Sequence, residues 1–267
     1  METGYSWDTG LARKLNEDSI FCGTFAISTH LEKVSAGLFA VADGMGGHSA
    51  GEIASSLAIK TFCPEVMAGL LEQSPASPLT IMSRAFSKAN SLILAASREK
   101  SLEGMGTTLT CALVIGPDMY VAHVGDSRCS IINSRETLQV TQDHSVVQTL
   151  VDAGLITPDE ALSHPRKNEI TRVLGYYADT IPDLLHVKLY AGDNILLCSD
   201  GLCGVLPAGR IAETVLAARS AEEACSELAE QANQAGGPDN ISAIIIKPSN
   251  LPSWQAVINV HTSAGTA

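Results

Sequence analysis

Residues 39–44 read FAVADG, an apolar, strand-like run that ends in an aspartate followed by a glycine. Similar runs end in aspartates at 121–126 (VAHVGD) and at 195–201 (ILLCSDG). A fourth aspartate lies in GPDN at 237–240 and precedes the apolar run ISAIII at 241–246. An ionised carboxylate at the end of a buried strand is costly unless a cation or a hydrogen-bond donor compensates it.

These four aspartates are predicted to meet at one edge of a sheet. When neighbouring strands alternate in direction, the end of one strand lies beside the start of the next. Asp43, Asp126 and Asp200 follow their runs, whereas Asp239 precedes its run. Carboxylates gathered in this way repel one another, and a bound divalent cation relieves that repulsion. Oxygen ligands without converging histidine or cysteine favour Mg²⁺ or Mn²⁺ over zinc or copper, so the pattern indicates a metal centre.

Composition is typical of a compact globular protein. The 267 residues are 45% hydrophobic and only 17% charged, enough for a substantial core in one large domain. The 29 acidic residues outnumber the 17 basic ones and give a net charge of −12. This balance argues against a general affinity for nucleic acid or for an anionic membrane.

The cysteines and the N-terminal sequence favour a cytoplasmic protein. None of the seven cysteines forms a CxxC pair, and several lie in apolar runs, as expected for reduced, buried thiols. The N-terminus shows no charged segment followed by an apolar one, the pattern of a signal peptide. No uninterrupted apolar stretch approaches the roughly 18–20 residues of a membrane span.

Short β-rich runs alternate with a few helical segments. A turn at 116–118 between two strands predicts an antiparallel hairpin. Strands are predicted at 36–42, 107–115, 119–124, 130–133, 186–189, 194–198 and 241–246. Helices are predicted at 51–62, from Ser77-Pro78 to about 97, from Asp143 to Gly154, after the capping box at Thr157, and from the capping box at Ser220 to Gly236.

Several short motifs follow one another in a characteristic order. They are RKLNED at 13–18, DGMGGH at 43–48, VGDSR at 124–128, HPRKN at 164–168, TR at 171–172, SDG at 199–201 and GPDN at 237–240. Together they resemble the metal-dependent serine/threonine protein phosphatases of type 2C, and most of all the bacterial branch of that family. The resemblance covers roughly residues 4–247.

The resemblance implies an α+β fold, a four-layer α-β-β-α sandwich with two mainly antiparallel sheets flanked by antiparallel helices. It implies a phosphatase domain over residues 1–247, with a flap at about 143–172 that covers a substrate groove. The tail at 248–267 is rich in proline and polar residues near its start and is expected to be partly disordered.

The resemblance also implies a set of metal ligands. Asp43 would bridge two Mn²⁺ or Mg²⁺ ions, and the carbonyl of Gly44 would add a ligand to one of them. Asp200 and Asp239 would complete the protein ligands of the first ion, and Asp18 would act near the second through water. In bacterial members a weaker third ion is shared by the counterparts of Asp126 and Asp200.

Two further residues are candidates for contact with the substrate. Arg13 resembles the family's phosphate clamp, and a guanidinium can donate two parallel hydrogen bonds to a phosphate. From its spacing alone, Arg13 would be interpreted as a surface residue paired with Glu17, and it is the resemblance that favours the clamp instead. Animal members have a histidine where this chain has Met45, which cannot donate a proton. His48 is therefore the candidate acid or substrate-binding residue, with a hydrogen-bonded turn histidine as the alternative.

The function implied by the resemblance is hydrolysis of phosphoserine and phosphothreonine in proteins by in-line attack of metal-activated water. The partners would be phosphorylated proteins, such as the targets of a bacterial serine/threonine kinase in signal transduction, and the enzyme is expected to be a monomer. The alternative is a catalytically silent pseudophosphatase that binds phosphoproteins or senses metal.

Overall fold

The computed structural model describes residues 1–28, 33–46, 50–72, 75–99, 102–157, 160–161 and 164–253. Within these ranges the chain forms twelve strands and six helices. The strands are β1 (Glu2–Asp8), β2 (Ser19–Ser28), β3 (Lys33–Ala42), β4 (Gly44–Met45), β5 (Gly106–Thr107), β6 (Leu109–Ile115), β7 (Asp118–Val124), β8 (Arg128–Ile132), β9 (Thr137–Gln139), β10 (Asp183–Lys188), β11 (Asn194–Cys198) and β12 (Ile241–Lys247). The helices are α1 (Gly51–Leu70), α2 (Pro78–Ala96), α3 (Val146–Asp152), α4 (Asp200–Cys203), α5 (Ala208–Ala217) and α6 (Ala221–Gln234).

The strands form two five-stranded antiparallel sheets. Sheet I has the order β1-β12-β11-β8-β9, and sheet II has the order β10-β7-β6-β3-β2. The short strands β4 and β5 form a separate antiparallel ribbon. The predicted hairpin is present, with Leu109 opposite Val124 and Ile115 opposite Asp118 in the β6–β7 pair.

Three apolar layers hold the sheets and helices together. The layer between the sheets contains Val121 of sheet II and Ile244 of sheet I. Helices α1 and α2 cover the other face of sheet II, where Phe62 and Leu113 are buried. Helices α5 and α6 cover the other face of sheet I, where Ile245 is buried. This arrangement confirms the predicted four-layer α-β-β-α sandwich.

Strand direction brings the predicted acidic positions to common edges. Strands β3 and β7 are both antiparallel to β6, so both end on the same side of sheet II. In sheet I, Cys198 at the end of β11 is paired with Ala243 near the start of β12. The sequence that follows β11 therefore lies beside the sequence that precedes β12.

Two helix boundaries differ from the prediction. Helix α1 continues past residue 62 to Leu70 and includes Pro64. The prediction of a helix that starts at Asp143 was wrong. The helix starts at Val146, and the Ser145 hydroxyl caps it by accepting a hydrogen bond from the Gln148 N–H at 3.2 Å. Asp143 is instead engaged in an ion pair with Arg128, at 2.6 Å.

Helix α1 is the one described segment whose length and composition would also suit a membrane span, with a mean hydropathy of 1.2. Half of that segment is buried inside the protein, where it packs against α2 and sheet II, as core helices do. The predicted capping box near Thr157 is present, because Thr157 and Glu160 exchange hydrogen bonds at 2.7 and 3.2 Å. Most of the predicted C-terminal tail, residues 254–267, lies outside the described residues.

The close packing of β1 against α6 provides a test of the fold. A Cβ atom on Gly4 would lie 2.3 Å from the backbone carbon of Ala221, whereas one on Gly209 in α5 would meet nothing within 4 Å. We expect Gly4→Ala to lower the free energy of unfolding by more than about 2 kcal/mol, because neither backbone can give way easily. Gly209→Ala should be neutral or stabilise by up to about 1 kcal/mol. Urea unfolding of both variants measures the difference, and equal stabilities would contradict the packing described.

Candidate metal centre

Asp43 follows β3 directly, and its backbone is held by two threonines. The Asp43 N–H donates to the Thr108 hydroxyl at 2.9 Å, and the Thr108 N–H donates back to the Asp43 carbonyl at 2.9 Å. The Thr107 hydroxyl donates to the same carbonyl, also at 2.9 Å. These bonds fix the backbone without using the carboxylate, which is therefore available to a ligand.

Gly44 lies where no side chain fits. A Cβ atom at this position would be 2.2 Å from the carbonyl oxygen of Gly51 and 2.4 Å from that of Glu17. The backbone next to Asp43 is thus packed between the start of α1 and the segment that leads to Asp18. This packing explains why a glycine is needed here, independently of any role of its carbonyl as a ligand.

Asp200 and Asp18 are brought together by Ser199. Asp200 is the first residue of α4 and follows β11 after a single residue. The Ser199 hydroxyl donates to the Asp18 carboxylate at 2.8 Å and accepts from the Ser242 N–H at 3.0 Å. The carboxyl groups of Asp43 and Asp200 also lie near each other, because the charge of Asp200 raises the pKa of Asp43. Three of the predicted ligands thus interact directly or through one hydroxyl group.

Arg13 and Asp239 form an ion pair at the rim of this site. The Arg13 Nη2 atom lies 2.7 Å from an Asp239 carboxylate oxygen, and 48% of the Arg13 side chain is exposed. Arg13 does not form the alternative ion pair with Glu17. The hydrogen bond to Asp239 is the main cause that raises the pKa of Arg13, and the charge of Glu17 adds to this effect. The structure therefore places the predicted phosphate clamp beside a predicted metal ligand.

Asn240 anchors the segment that carries Arg13. Its side-chain amide donates to the carbonyls of Thr9 and Leu15 at 2.9 and 3.0 Å. Its side-chain oxygen accepts from the Glu17 N–H at 2.8 Å. One amide side chain next to Asp239 thus holds both ends of the segment 9–17.

Asp126 follows β7 of sheet II after one residue and is buried. Only 7% of it is exposed, and its Oδ1 atom is buried without a hydrogen-bond partner. The preceding Gly125 N–H donates to Nδ1 of His144 at 3.0 Å, while Nε2 of His144 lies 3.1 Å from the Asp183 carboxylate. Because Nδ1 accepts a backbone donor, His144 is neutral and its Nε2–H donates to Asp183. This network fixes the turn that presents Asp126.

Burial and mutual repulsion oppose ionisation of these acids. Burial raises the pKa of Asp18 to about 7, and the charges of Asp200 and Asp239 contribute to the rise. Burial also raises the pKa of Asp43 well above its ordinary value, with Asp18 and Asp200 as the strongest charged neighbours. In both cases burial favours the protonated acid over the carboxylate.

The same causes act on the other two buried acids. Burial raises the pKa of Asp126 to about 8, and Asp200 and Asp143 add to the effect. Burial raises the pKa of Asp200 as well, with Asp239 as its main charged neighbour. The charges of Asp126, Asp200 and Asp239 all act on Asp43, so the structure brings these four aspartates into one neighbourhood.

These residues fit a divalent cation bound by oxygen ligands. Among the residues that the structure describes, no three His, Cys, Asp or Glu side chains already have the spacing of a metal-binding cluster. The donor atoms of the predicted ligands are nonetheless all oxygens, which suit Mn²⁺ or Mg²⁺. The unpartnered oxygen of Asp126 and the raised pKa values of Asp18 and Asp43 are what an added divalent charge would correct.

Sequence reasoning missed the residues that support the ligands. Ser199 and Asn240 lie within the motifs SDG and GPDN. Their positions directly beside Asp200 and Asp239 could have indicated that they support these ligands. Thr108 carried no such signal, because its bond to Asp43 joins residues 65 positions apart. The predicted substrate-binding residue His48 lies outside the described residues, and its role stays a prediction.

Comparison with known proteins identifies the class to which this fold and site belong. The family model described as Protein phosphatase 2C matches residues 8–241. The chain belongs to the protein phosphatase 2C family. The predicted family assignment is thereby confirmed.

Individual relatives are bacterial. The serine/threonine protein phosphatase PstP of Mycobacterium tuberculosis is 41% identical over 240 residues, which cover 89% of this chain but only 43% of PstP. The chain thus spans less than half the length of that relative. The serine/threonine phosphatase stp of Listeria monocytogenes is 33% identical over 248 residues and is covered over 96% of its length, with 92% of this chain.

Solved structures agree with the fold. The crystal structure of the serine/threonine phosphatase Stp1 of Staphylococcus aureus superposes with a TM-score of 0.83 at 33% identity, covering 94% of this chain and 96% of that one. The catalytic domain of PstP in complex with two manganese ions superposes with a TM-score of 0.76 at 38% identity, covering 91% of this chain and 96% of that one.

The raised pKa of Asp126 predicts a pH-dependent effect in the metal-free protein. The unfolded chain releases this proton at about pH 4, whereas the folded protein retains it up to about pH 8. The contribution of this group to stability is therefore complete below about pH 4 and is lost as the pH rises through about 8. Asp126→Asn cannot ionise, so in EDTA it should be more stable than wild type by more than about 1 kcal/mol at about pH 9, and by less at about pH 5.

Urea unfolding at the two pH values measures this gain. The exposed Asp152→Asn in α3 is the matched control and should show no gain that grows with pH. A constant difference between Asp126→Asn and wild type across this range would contradict the buried, repelled state of the carboxylate.

Proposed function

We propose that the protein is a metal-dependent phosphatase that hydrolyses phosphoserine and phosphothreonine in proteins. The observation that carries this proposal is the gathering of Asp18, Asp43 and Asp200 at the ends of strands from both sheets, with Arg13 held beside Asp239. The relatives named above are serine/threonine phosphatases, and one of them binds two manganese ions.

The ions would be held by oxygen atoms alone. Asp43 is central, because its carboxylate interacts with those of Asp18, Asp126, Asp200 and Asp239. Asp43, the carbonyl of Gly44, Asp200 and Asp239 form the proposed primary set, Asp18 acts beside them, and Asp126 with Asp200 would hold a third ion. Bound Mn²⁺ or Mg²⁺ supplies a water of lowered pKa and offsets the negative charge of the phosphoryl oxygens.

Arg13 would bind the phosphate and orient it. Its guanidinium uses Nη2 for Asp239, and its half-exposed position leaves it open to an incoming phosphate. Arginine can place two parallel N–H donors on phosphate oxygens, which fixes the direction of the scissile bond as well as binding the charge. Asn240 supports this role because it fixes the segment on which Arg13 lies.

The domain limits, the flap and the substrates are assigned by analogy with the family. The phosphatase domain would comprise residues 1–247, and the segment at about 143–172 would act as a flap that influences substrate choice. Phosphorylated targets of a serine/threonine kinase are the proposed substrates, in a cytoplasmic signalling pathway and with a monomeric enzyme. A catalytically silent pseudophosphatase is not favoured, since every predicted aspartate ligand is present in the sequence.

Substitution of the proposed ligands tests this function. Asp43→Asn and Asp200→Asn should each lower kcat on a phosphothreonine peptide by more than about 100-fold in Mn²⁺, because each removes a charged ligand. Phosphate-release assays with Mn²⁺, Mg²⁺ and EDTA measure the effect, and calorimetry measures Mn²⁺ binding. Asp118→Asn, at the opposite end of β7 from Asp126, is the control and should retain activity. Wild-type turnover that persists in EDTA would overturn the proposal.

Substitution of the clamp should affect substrate binding most. Arg13→Ala should raise KM by about 10- to 100-fold with a smaller change in kcat, because it removes charge-assisted hydrogen bonds worth about 1.5–3 kcal/mol. Arg13→Lys should restore only part of the loss, since an ammonium cannot make the parallel pair. An unchanged KM in Arg13→Ala, with Mn²⁺ binding intact, would exclude the clamp role.

A further inference from the structure

Two cysteines flank the proposed ligand Asp200. Cys198 is the last residue of β11, and Cys203 is the last residue of α4, which Asp200 begins. Four residues lie between the two cysteines, namely Ser199, Asp200 and two further residues of the turn. Any link between the thiols would therefore close a small ring around Asp200.

The two side chains lie on the same side of sheet I. Cys198 packs in the layer beneath α5 and α6, and Cys203 packs against that layer. The Cys198 thiol lies near enough to Cys203 to raise the pKa of the Cys203 thiol, and both side chains line one cavity. The neighbouring Cys129 is excluded from this pair, because it points into the layer between the two sheets.

A cavity gives small molecules access to this pair. It has a volume of about 190 Å³ and opens between the outer face of sheet I and α5. Cys198, Cys203 and Arg128 all line it. Cys198 is almost fully buried, whereas Cys203 is half-buried, so an oxidant small enough to enter the cavity would meet Cys203 first.

The surroundings of Cys203 favour its neutral thiol form. The Cys198 thiol and burial raise the pKa of Cys203 well above its ordinary value, although the Arg128 guanidinium acts in the opposite direction. Since the thiolate is the reactive form, oxidation should require sustained exposure to the oxidant. The five other cysteines of the chain are Cys22, Cys63, Cys111, Cys129 and Cys225, and of these only Cys22 is also half-buried.

We propose that Cys198 and Cys203 form a reversible disulfide with peroxide as the oxidant, and that this bond displaces Asp200 and switches the enzyme off. The Cys203 sulfur attacks one peroxide oxygen, the O–O bond breaks, and one water leaves to give a sulfenic acid. The Cys198 sulfur then attacks the Cys203 sulfur, the S–O bond breaks, and a second water leaves. Two thiols and one peroxide thus become one disulfide and two waters, with both thiol hydrogens carried into water.

The neighbourhood of α4 explains why this bond would disturb the site. The Cys203 thiol donates to the Ser199 carbonyl at 3.4 Å in the reduced protein, and the Ser199 hydroxyl holds Asp18. A Cβ atom on Gly201 would lie 2.0 Å from the Asn240 carbonyl, so the turn has no free space on that side. We expect a bond that draws Cys203 towards Cys198 to shift the turn that carries Asp200. The effect on activity rests on the proposed function, whereas the disulfide itself does not.

The sequence makes the bond easy to detect. Trypsin cleaves after Lys188 and Arg210, and the peptide 189–210 contains Cys198 and Cys203 but no other cysteine. The full-length protein is treated with hydrogen peroxide in EDTA, freed of peroxide, blocked with iodoacetamide and digested. We expect an unalkylated peptide 189–210 that is lighter by two hydrogens, and its conversion to the doubly alkylated form after dithiothreitol.

Activity in Mn²⁺ is measured on the same samples. Peroxide treatment should lower the kcat of the wild type by about tenfold or more, since small displacements of catalytic groups have effects of this size. Dithiothreitol should restore the kcat. Cys203→Ser should be active before and after treatment, whereas Cys22→Ser, the control for the other half-buried thiol, should behave like wild type. Cys198→Ala provides a second variant that cannot form the bond.

The outcomes separate the two proposals. A peptide that is never lighter by two hydrogens, or that gains only oxygen, overturns the disulfide. A disulfide that forms without loss of kcat overturns the switch. If the untreated enzyme shows no turnover, the proposed function is overturned. The disulfide can still be judged, because the mass measurement does not depend on activity.

Discussion

Repulsion among carboxylates is the constraint around which this protein is organised. Asp18, Asp43, Asp126 and Asp200 are partly or fully withdrawn from water, and the charges of Asp18, Asp126 and Asp200 make ionisation of neighbouring acids less favourable. A fold tolerates such a cluster only if the backbone around it is held by other bonds. The hydroxyls of Thr108 and Ser199 and the amide of Asn240 provide those bonds and leave carboxylate oxygens free for a cation.

The antiparallel arrangement of the sheets is what makes the cluster possible. Ligands that follow β3, β7 and β11 meet a ligand that precedes β12 because neighbouring strands run in opposite directions. In a parallel arrangement the position before β12 would lie at the far end of the sheet. The layers of helices on the outer faces have no proposed ligand apart from Asp200, which begins α4, so most of them serve to bury and fix the strands.

Much of the fold could be predicted where hydrophobic runs are long and clearly bounded. The hairpin of β6 and β7, the bounds of β11 and the start of β12 agree with the structure. Strand β1 was missed because it lies at the edge of sheet I, where Tyr5 and Trp7 are 62% and 52% exposed and the apolar alternation is weak. The order of strands within each sheet could not come from periodicity, since pairing partners are far apart in the sequence.

The residues of the candidate site were likewise predictable only in part. The aspartates were predictable because an acid at the end of an apolar strand is unusual and has few explanations. The bond between Asp43 and Thr108 and the contacts of Asn240 with Thr9 and Leu15 were not, because they depend on residues 65 to 231 positions apart. Arg13 was ambiguous from spacing, and only the position of Asp239 beside it decided its partner.

The pairing of β1 with β12 has a consequence for how the protein is made. Strand β12 and Asn240 lie about 230 positions after β1 and Thr9, which Asn240 contacts. A ribosome therefore releases nearly the whole domain before the first strand can find its neighbour. Until then the N-terminal segment with Arg13 lacks its contacts with Asp239 and Asn240, so a growing chain has no assembled centre with which to act on other proteins.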